Sequence, residues 1–98
     1  MKKFNINELK GPVSHILADD MLKVVYFDFK KDEKLPNHSH NGIAVLQIIS
    51  GKVLINFDTG ESFELNTGDV LEFKSSIVHN IDAQEDTKML LTIASYSN

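Results

Sequence analysis

The fold is indicated by the stretch from residue 38 to residue 51, which reads His38-Ser39-His40-Asn41-Gly42-Ile43-Ala44-Val45-Leu46-Gln47-Ile48-Ile49-Ser50-Gly51. It begins with a His-x-His triplet, passes through Asn-Gly, a dipeptide typical of turns, and continues as an apolar segment. In an extended strand, successive side chains point to opposite faces, so the outer members of the triplet share one face about 7 Å apart. Two imidazoles on one face can bind a single metal ion.

The histidines also allow a simpler interpretation. A His-x-His triplet in a polar segment can consist of solvated side chains. A further histidine, His79, has Ile77 and Ile81 as same-face neighbours, which predicts that it points inward. A buried histidine needs a hydrogen-bond partner, and a backbone carbonyl group meets that need as well as a metal does. Spacing alone therefore leaves metal binding and a purely structural role open.

Length and composition predict one small domain and exclude some partners. The chain has 98 residues, no cysteine and a formal net charge of −4. Nucleic acid is not an expected partner, because the lysines form no concentrated basic face. No apolar run is long enough to span a bilayer, and no disulfide can form, so a membrane partner is not expected and the cytoplasm is the expected location.

Short segments rich in Val, Ile, Tyr and Phe alternate with turn residues along the chain. We predict strands over residues 22–30, 43–49, 53–57, 62–65, 70–73, 78–83 and 88–95. Turn residues at 50–52, 58–61 and 67–69 are expected to join these strands as hairpins. Residues 6–9 favour at most one helical turn. Many short strands with regular turns predict an antiparallel sandwich or barrel.

The predicted strand over residues 43–49 is apolar on both faces. Ala44, Leu46 and Ile48 share one face, whereas Val45 and Ile49 lie on the other, together with Gln47 as an outward structural residue. One face of such a strand packs on the core, and the opposite face packs on another sheet or on another subunit. We therefore expect a homodimer.

The two histidine motifs resemble those of the cupin superfamily, in particular the small single-domain cupins of the cupin-2 type. The first family motif combines His-x-His with a glutamate and a glycine, and its positions here are His38, His40, Ala44 and Gly51. The second motif begins with glycine and Pro-x-Gly-Asp and ends at a histidine, and its positions here are Gly60, Asn66-Thr67-Gly68-Asp69 and His79. The resemblance implies an all-β fold, an antiparallel double-stranded β-helix or jelly-roll barrel.

The resemblance also implies a metal site in the mouth of the barrel. Its ligands would be His38, His40 and His79, and its cofactor a divalent transition metal, namely zinc, iron, nickel or copper. Ala44 replaces the family's glutamate, and a methyl group cannot bind a metal. Three neutral imidazoles disfavour hard ions such as manganese. Asn66 replaces the proline of the second motif, which affects the rigidity of a turn but removes no ligand.

The resemblance divides the chain into an N-terminal arm, residues 1–21, and a single cupin barrel, residues 22–95. The arm is expected to exchange a strand or to form an interface, and His15 within it is interpreted as a surface or interface residue. Two functions stay open: a metal-binding cupin that holds a small-molecule ligand, and a metal-dependent dioxygenase or isomerase of the three-histidine type. The chain has no arginine to clamp a carboxylate substrate, and no acidic residue matches the motif positions. Both facts favour the binding protein.

Overall fold

The computed structural model describes residues 1–96. Within them, one 3-10 turn at Ile6–Glu8 precedes nine strands. The strands are β1 (Val13–Ala18), β2 (Leu22–Phe29), β3 (Lys34–His38), β4 (Gly42–Ser50), β5 (Lys52–Phe57), β6 (Ser62–Asn66), β7 (Val70–Lys74), β8 (His79–Ala83) and β9 (Thr87–Ser95). The part of the chain described contains no helix with the length and hydropathy needed to span a bilayer.

The strands form two sheets that face each other. The first sheet has the order β1-β2-β9-β4-β7, and the second has the order β3-β8-β5-β6. All strand pairs are antiparallel. Consecutive strands frequently belong to different sheets, which is the connectivity of a double-stranded β-helix. The all-β jelly-roll prediction is thus confirmed.

The core lies between the two sheets and follows the period of two that each strand imposes. In β4, Ala44, Leu46 and Ile48 are buried, whereas Val45 and Gln47 are exposed, as predicted. The buried residues of the other strands join the same hydrophobic cluster. Burying one large apolar side chain contributes about 1.5–3 kcal/mol to stability. The alternation therefore determines which face of each sheet turns inward.

The turn at Gly51 does not form the predicted hairpin, and that prediction is wrong. β4 belongs to the five-stranded sheet and β5 to the four-stranded sheet, so the turn carries the chain from one sheet to the other. Gly51 has φ of +110°, and a Cβ atom there would collide with Thr87. Only glycine tolerates this turn. Residues 67–69 make a similar crossing, from β6 to β7, whereas residues 58–61 form the predicted hairpin between β5 and β6.

Two strands were not predicted from the sequence. β1 lies within the expected N-terminal arm and pairs with β2 of the same chain at the edge of the five-stranded sheet. Strand exchange by residues 1–21 stays a prediction. β3 is polar and contains Pro36, which lacks a backbone N–H group, but it lies at the edge of the four-stranded sheet where a proline is tolerated.

Candidate metal centre

His38 and His79 lie side by side at one end of the four-stranded sheet. His38 is the last residue of β3 and His79 the first of β8, and the two residues are cross-strand partners. Their ring centroids are 4.2 Å apart. The His79 side chain, only 2% exposed, also packs edge-on against Phe73, with 4.9 Å between ring centroids. The predicted inward orientation of His79 is therefore confirmed.

Both imidazoles are held in the same tautomer by the backbone. His38 Nδ1 donates a hydrogen bond to the carbonyl oxygen of Pro36 at 2.8 Å, and His79 Nδ1 donates one to that of Ile77 at 2.7 Å. A carbonyl oxygen only accepts, so Nδ1 carries the proton in each ring. The lone pair of each ring is then on Nε2. This arrangement is typical of histidines that bind a metal, whose second nitrogen is usually oriented by such a partner.

His79 also has the charge state that metal binding needs. Burial lowers the pKa of His79, the hydrogen bond to Ile77 raises it, and the electrostatic effect of the neighbouring His38 lowers it. The net shift of the pKa is downward. Since a metal binds only the neutral imidazole, the lowered pKa favours the form of His79 that can act as a ligand.

His40 does not lie on the strand that the His-x-His argument assumes. β3 ends at His38, and His40 lies in the connection to β4. The pairing of β3 with β8 shifts between Leu35 and His38, because three steps along β3 oppose two steps along β8. This irregularity lies before His38, so it does not decide how His38 and His40 are aligned. Both side chains line the same cavity, and their alignment on one face stays a prediction.

The backbone of His40 is nevertheless anchored, and its side chain is half-buried. His40 N donates to Ser75 O at 2.7 Å, and Ser75 Oγ donates to His40 O at 2.9 Å. Among residues 1–96, no group of three or more His, Cys, Asp or Glu side chains is arranged to hold a metal ion. The structure thus brings His38 and His79 together but does not place His40 with them in a ligand set.

A cavity of about 470 Å³ adjoins His38 and His40. The apolar part of its wall is formed by side chains from three strands, namely Val25, Phe27, Leu35, Leu91 and Ile93. His15, interpreted from the sequence as a surface or interface residue, also lines this cavity. No sequence motif indicated that His15 lines the cavity, because the position of His15 depends on its pairing with Val25 of β2.

Ala44 occupies the floor of the barrel next to these groups. It is 1% exposed, and its cross-strand partners are Phe73 on β7 and Ile93 on β9. Phe73 contacts His79, and Ile93 lines the cavity. The side chain at position 44 therefore points inward, as predicted, and contributes a methyl group where the family motif has a carboxylate.

A row of polar side chains links all four strands of the second sheet beside the histidine pair. Asn80 Nδ2 donates to Asn37 Oδ1 at 2.8 Å, and Asn56 Nδ2 donates to Asn80 Oδ1 at 3.0 Å. Ser62 Oγ donates to Asn56 Oδ1 at 2.7 Å. Asn37 and Asn80 directly precede His38 and directly follow His79 along the chain. The Asn37–Asn80 hydrogen bond therefore joins β3 to β8 next to the cross-strand pair His38–His79.

Replacing Asn80 by alanine is expected to loosen this pairing. The variant loses two side-chain hydrogen bonds, so we expect the free energy of unfolding to fall by about 1–2 kcal/mol, measured by urea denaturation. The NMR signals of the His38 and His79 rings should move, whereas those of His15 stay. Asn66→Ala, an exposed asparagine of β6, is the matched control. Unchanged His38 and His79 signals in Asn80→Ala would show that the asparagine row does not position the imidazoles.

Comparison with known proteins identifies the class of this barrel. The solved structures similar to it include an RmlC-like cupin from Desulfovibrio desulfuricans, 28% identical over 96% of this chain and 96% of that chain, with a TM-score of 0.82. A conserved protein with a double-stranded β-helix domain from Klebsiella pneumoniae is 22% identical, with 95% and 84% of the two chains covered and a TM-score of 0.83. An RmlC-like cupin family protein from Methanocaldococcus jannaschii is 15% identical, with 95% and 87% covered and a TM-score of 0.81.

The family follows from the sequence as well as from the fold. The sequence model of the cupin domain matches residues 25–95, which is most of the chain. No curated protein matches the sequence. The chain belongs to the cupin domain family.

Proposed function

We propose that this protein is a small metal-binding cupin that holds a divalent transition metal through His38, His40 and His79 and takes a small-molecule ligand in the adjoining cavity. The observation that carries the proposal is the pair of imidazoles, His38 and His79, whose rings are 4.2 Å apart and whose Nδ1 atoms both donate to backbone carbonyl oxygens. Both rings then offer Nε2 to a ligand. A purely structural histidine does not need a second imidazole beside it.

His40 is the proposed third ligand. Its imidazole lines the same cavity as His38, and its backbone is anchored by Ser75, so rotation about its side-chain bonds is enough to change where the ring points. Three neutral nitrogen donors suit zinc, iron, nickel or copper. When bound at such a site, the ion supplies a Lewis acid with open positions for a ligand.

Binding rather than catalysis is the function that the cavity supports best. None of its described lining residues is acidic, and Ala44 adds no carboxylate, so the described lining offers no carboxylate as a general base. The alternative, a metal-dependent dioxygenase or isomerase, needs a base or an oxygen-binding ion.

We propose the cytoplasm as the location, since a chain without cysteine depends on no disulfide.

The proposal is tested by elemental analysis of the protein purified without a histidine tag and without chelator. We expect about one divalent transition ion per chain, as for a single open metal site. Protein that stays metal-free after incubation with zinc, ferrous iron, nickel and copper salts, followed by gel filtration, would contradict the proposal.

We further propose that the protein is a homodimer formed through the outer face of the five-stranded sheet. Ile43, Val45 and Val70 are large apolar side chains exposed on this face, and Leu90 lies beside them, half-buried. Exposed apolar residues on neighbouring strands are typical of surfaces that are buried between subunits. Light scattering of the wild type is expected to give twice the mass of one chain. The Val45→Lys variant is expected to give the mass of one chain.

Val78→Lys is the matched control for the dimer. Val78 and Val45 are both 37% exposed, but Val78 precedes β8 and lies outside the five-stranded sheet. The control variant should keep the mass of the dimer. A single-chain mass for the wild type at high protein concentration would contradict the proposed dimer.

A further inference from the structure

We propose that the ligand of the cavity beside His38 and His40 is a small apolar molecule with one carboxylate group, and that Lys23 binds this carboxylate. This inference rests on the proposed function, because it names the class of ligand for the same cavity. It concerns a residue to which neither the family motifs nor the metal site assigns a role.

Lys23 points into the barrel. On β2 it shares a face with Val25 and Phe27, which are buried in the core, and all three line the cavity. Its cross-strand partners, Ala18 on β1 and Ile93 on β9, line the cavity as well. An inward-facing lysine at the end of an apolar strand face is unusual, since lysine is among the residues least often buried.

Lys23 has no acidic partner in the part of the chain described. Within residues 1–96, the one ion pair joins Lys52 and Glu64, at 3.5 Å. Lys23 is half-buried, and none of the described residues that line its cavity is acidic. A lysine ammonium group that lines an apolar cavity and has no counter-ion in the described chain is free to bind a negative charge from a ligand. The cavity is therefore complementary to an anion.

The charge that the chain itself supplies to this cavity matches an anion with a single negative charge. Among the described lining residues, Lys23 is the one with a permanent charge. In the metal-free protein, a dianion such as a phosphate monoester would bring one negative charge more than Lys23 can compensate in an apolar surrounding. A carboxylate brings one charge and accepts hydrogen bonds from a lysine ammonium group.

The rest of the ligand must be apolar. Val25, Phe27, Leu35, Leu91 and Ile93 form the apolar part of the cavity wall. Ligand sites of this size are typically lined by apolar side chains, with a few polar groups that fix the orientation of the ligand. Ala44 belongs to the same row of the sheet as Lys23, with Ile93 between them. A carboxylate bound to Lys23 would thus lie in the same row as Ala44, where the chain has a methyl group in place of the carboxylate of the family motif.

The test compares octanoate with 1-octanol, which share the apolar chain but differ in charge. Binding is measured by isothermal titration calorimetry on the full chain, as purified and after treatment with EDTA. Octanoate is expected to bind more tightly than 1-octanol in both preparations. Lys23→Gln should weaken octanoate binding by roughly ten- to hundred-fold, the loss typical of a hydrogen bond to a charged group, and leave 1-octanol binding unchanged. Lys23→Met, which keeps the apolar stem, should behave in the same way and guards against a folding defect of the first variant.

The matched control is Lys30→Gln. Lys30 is exposed and lies just beyond the opposite end of β2, about 23 Å along the strand from Lys23. This variant has the same net charge as Lys23→Gln and should bind octanoate as the wild type does. Equal binding of octanoate to the wild type and both Lys23 variants would overturn the inference.

The metal content of the same preparations separates this inference from the proposed function. If metal is present but octanoate binding does not depend on Lys23, the inference fails and the metal site stands. If the protein holds no metal but octanoate binding depends on Lys23, the ligand class stands and the metal site fails.

Discussion

Replacing His38 by alanine is expected to reduce the metal content of the purified protein from about one ion per chain to close to none. His38 and His79 are the two imidazoles whose tautomers the backbone holds ready for a ligand. Removing either one leaves a single oriented donor, which is too few to retain a divalent ion through purification. His79→Ala and His40→Ala are expected to have the same effect. Elemental analysis of the untagged variants measures the loss.

His15→Ala is the matched control for these variants. His15 lines the same cavity but is not one of the proposed ligands, so its replacement should leave the metal content at the wild-type level. Circular dichroism should confirm that each variant is folded, above all His79→Ala, because that side chain packs against Phe73 in the core. Wild-type metal content in all three ligand variants would contradict the assignment. Loss of metal in His15→Ala alone would move the site to a different histidine.

Replacing Ala44 by glutamate is expected to add a fourth ligand and to change the preference of the site among metals. The side chain at position 44 points inward between Phe73 and Ile93, and Phe73 contacts His79. Because oxygen ligands suit harder ions, the affinity for manganese and ferrous iron should rise more than the affinity for copper. Titration of the metal-free wild type and variant with each ion measures the change.

The stability of the same variant provides the control for Ala44→Glu. A buried carboxylate without a partner is destabilising, so the metal-free variant should unfold at a lower urea concentration than the wild type, and added metal should restore part of the loss. Ala44→Gln introduces a side chain of the same size that carries no charge, and it separates the effect of volume from that of the carboxylate. Unchanged affinities, with a loss of stability that metal does not restore, would show that position 44 does not face the histidines.

Some features of the barrel could be predicted from local sequence because they depend on neighbouring residues. Alternation in the segment around Leu46 correctly assigned Ala44 to the core and Gln47 to the surface, since a strand turns every second side chain to the same face. The same rule turned His79 inward between Ile77 and Ile81. The two histidine motifs, together with Gly51, also indicated the family, because their residue types and spacing are properties of the sequence.

Other features could not be predicted because they depend on which strands pair. The turn at Gly51 was recognised, but a turn does not reveal whether the next strand stays in the same sheet. β3 was missed because Pro36 and polar neighbours weaken its strand pattern, and its pairing with β8 shifts between Leu35 and His38. The local rule holds only where the ladder is regular.

The sequence by itself thus determined the class of the fold, the faces of its strands and the histidines that belong to the proposed site. Only the tertiary structure decided that His38 and His79 become neighbours, that His15 and Lys23 face the same cavity, and that His40 lies outside the strand. The physical reason is the range of the interactions. Side-chain alternation is set within a few residues of the chain, whereas strand pairing brings together residues that are far apart in sequence, and no local pattern encodes their register.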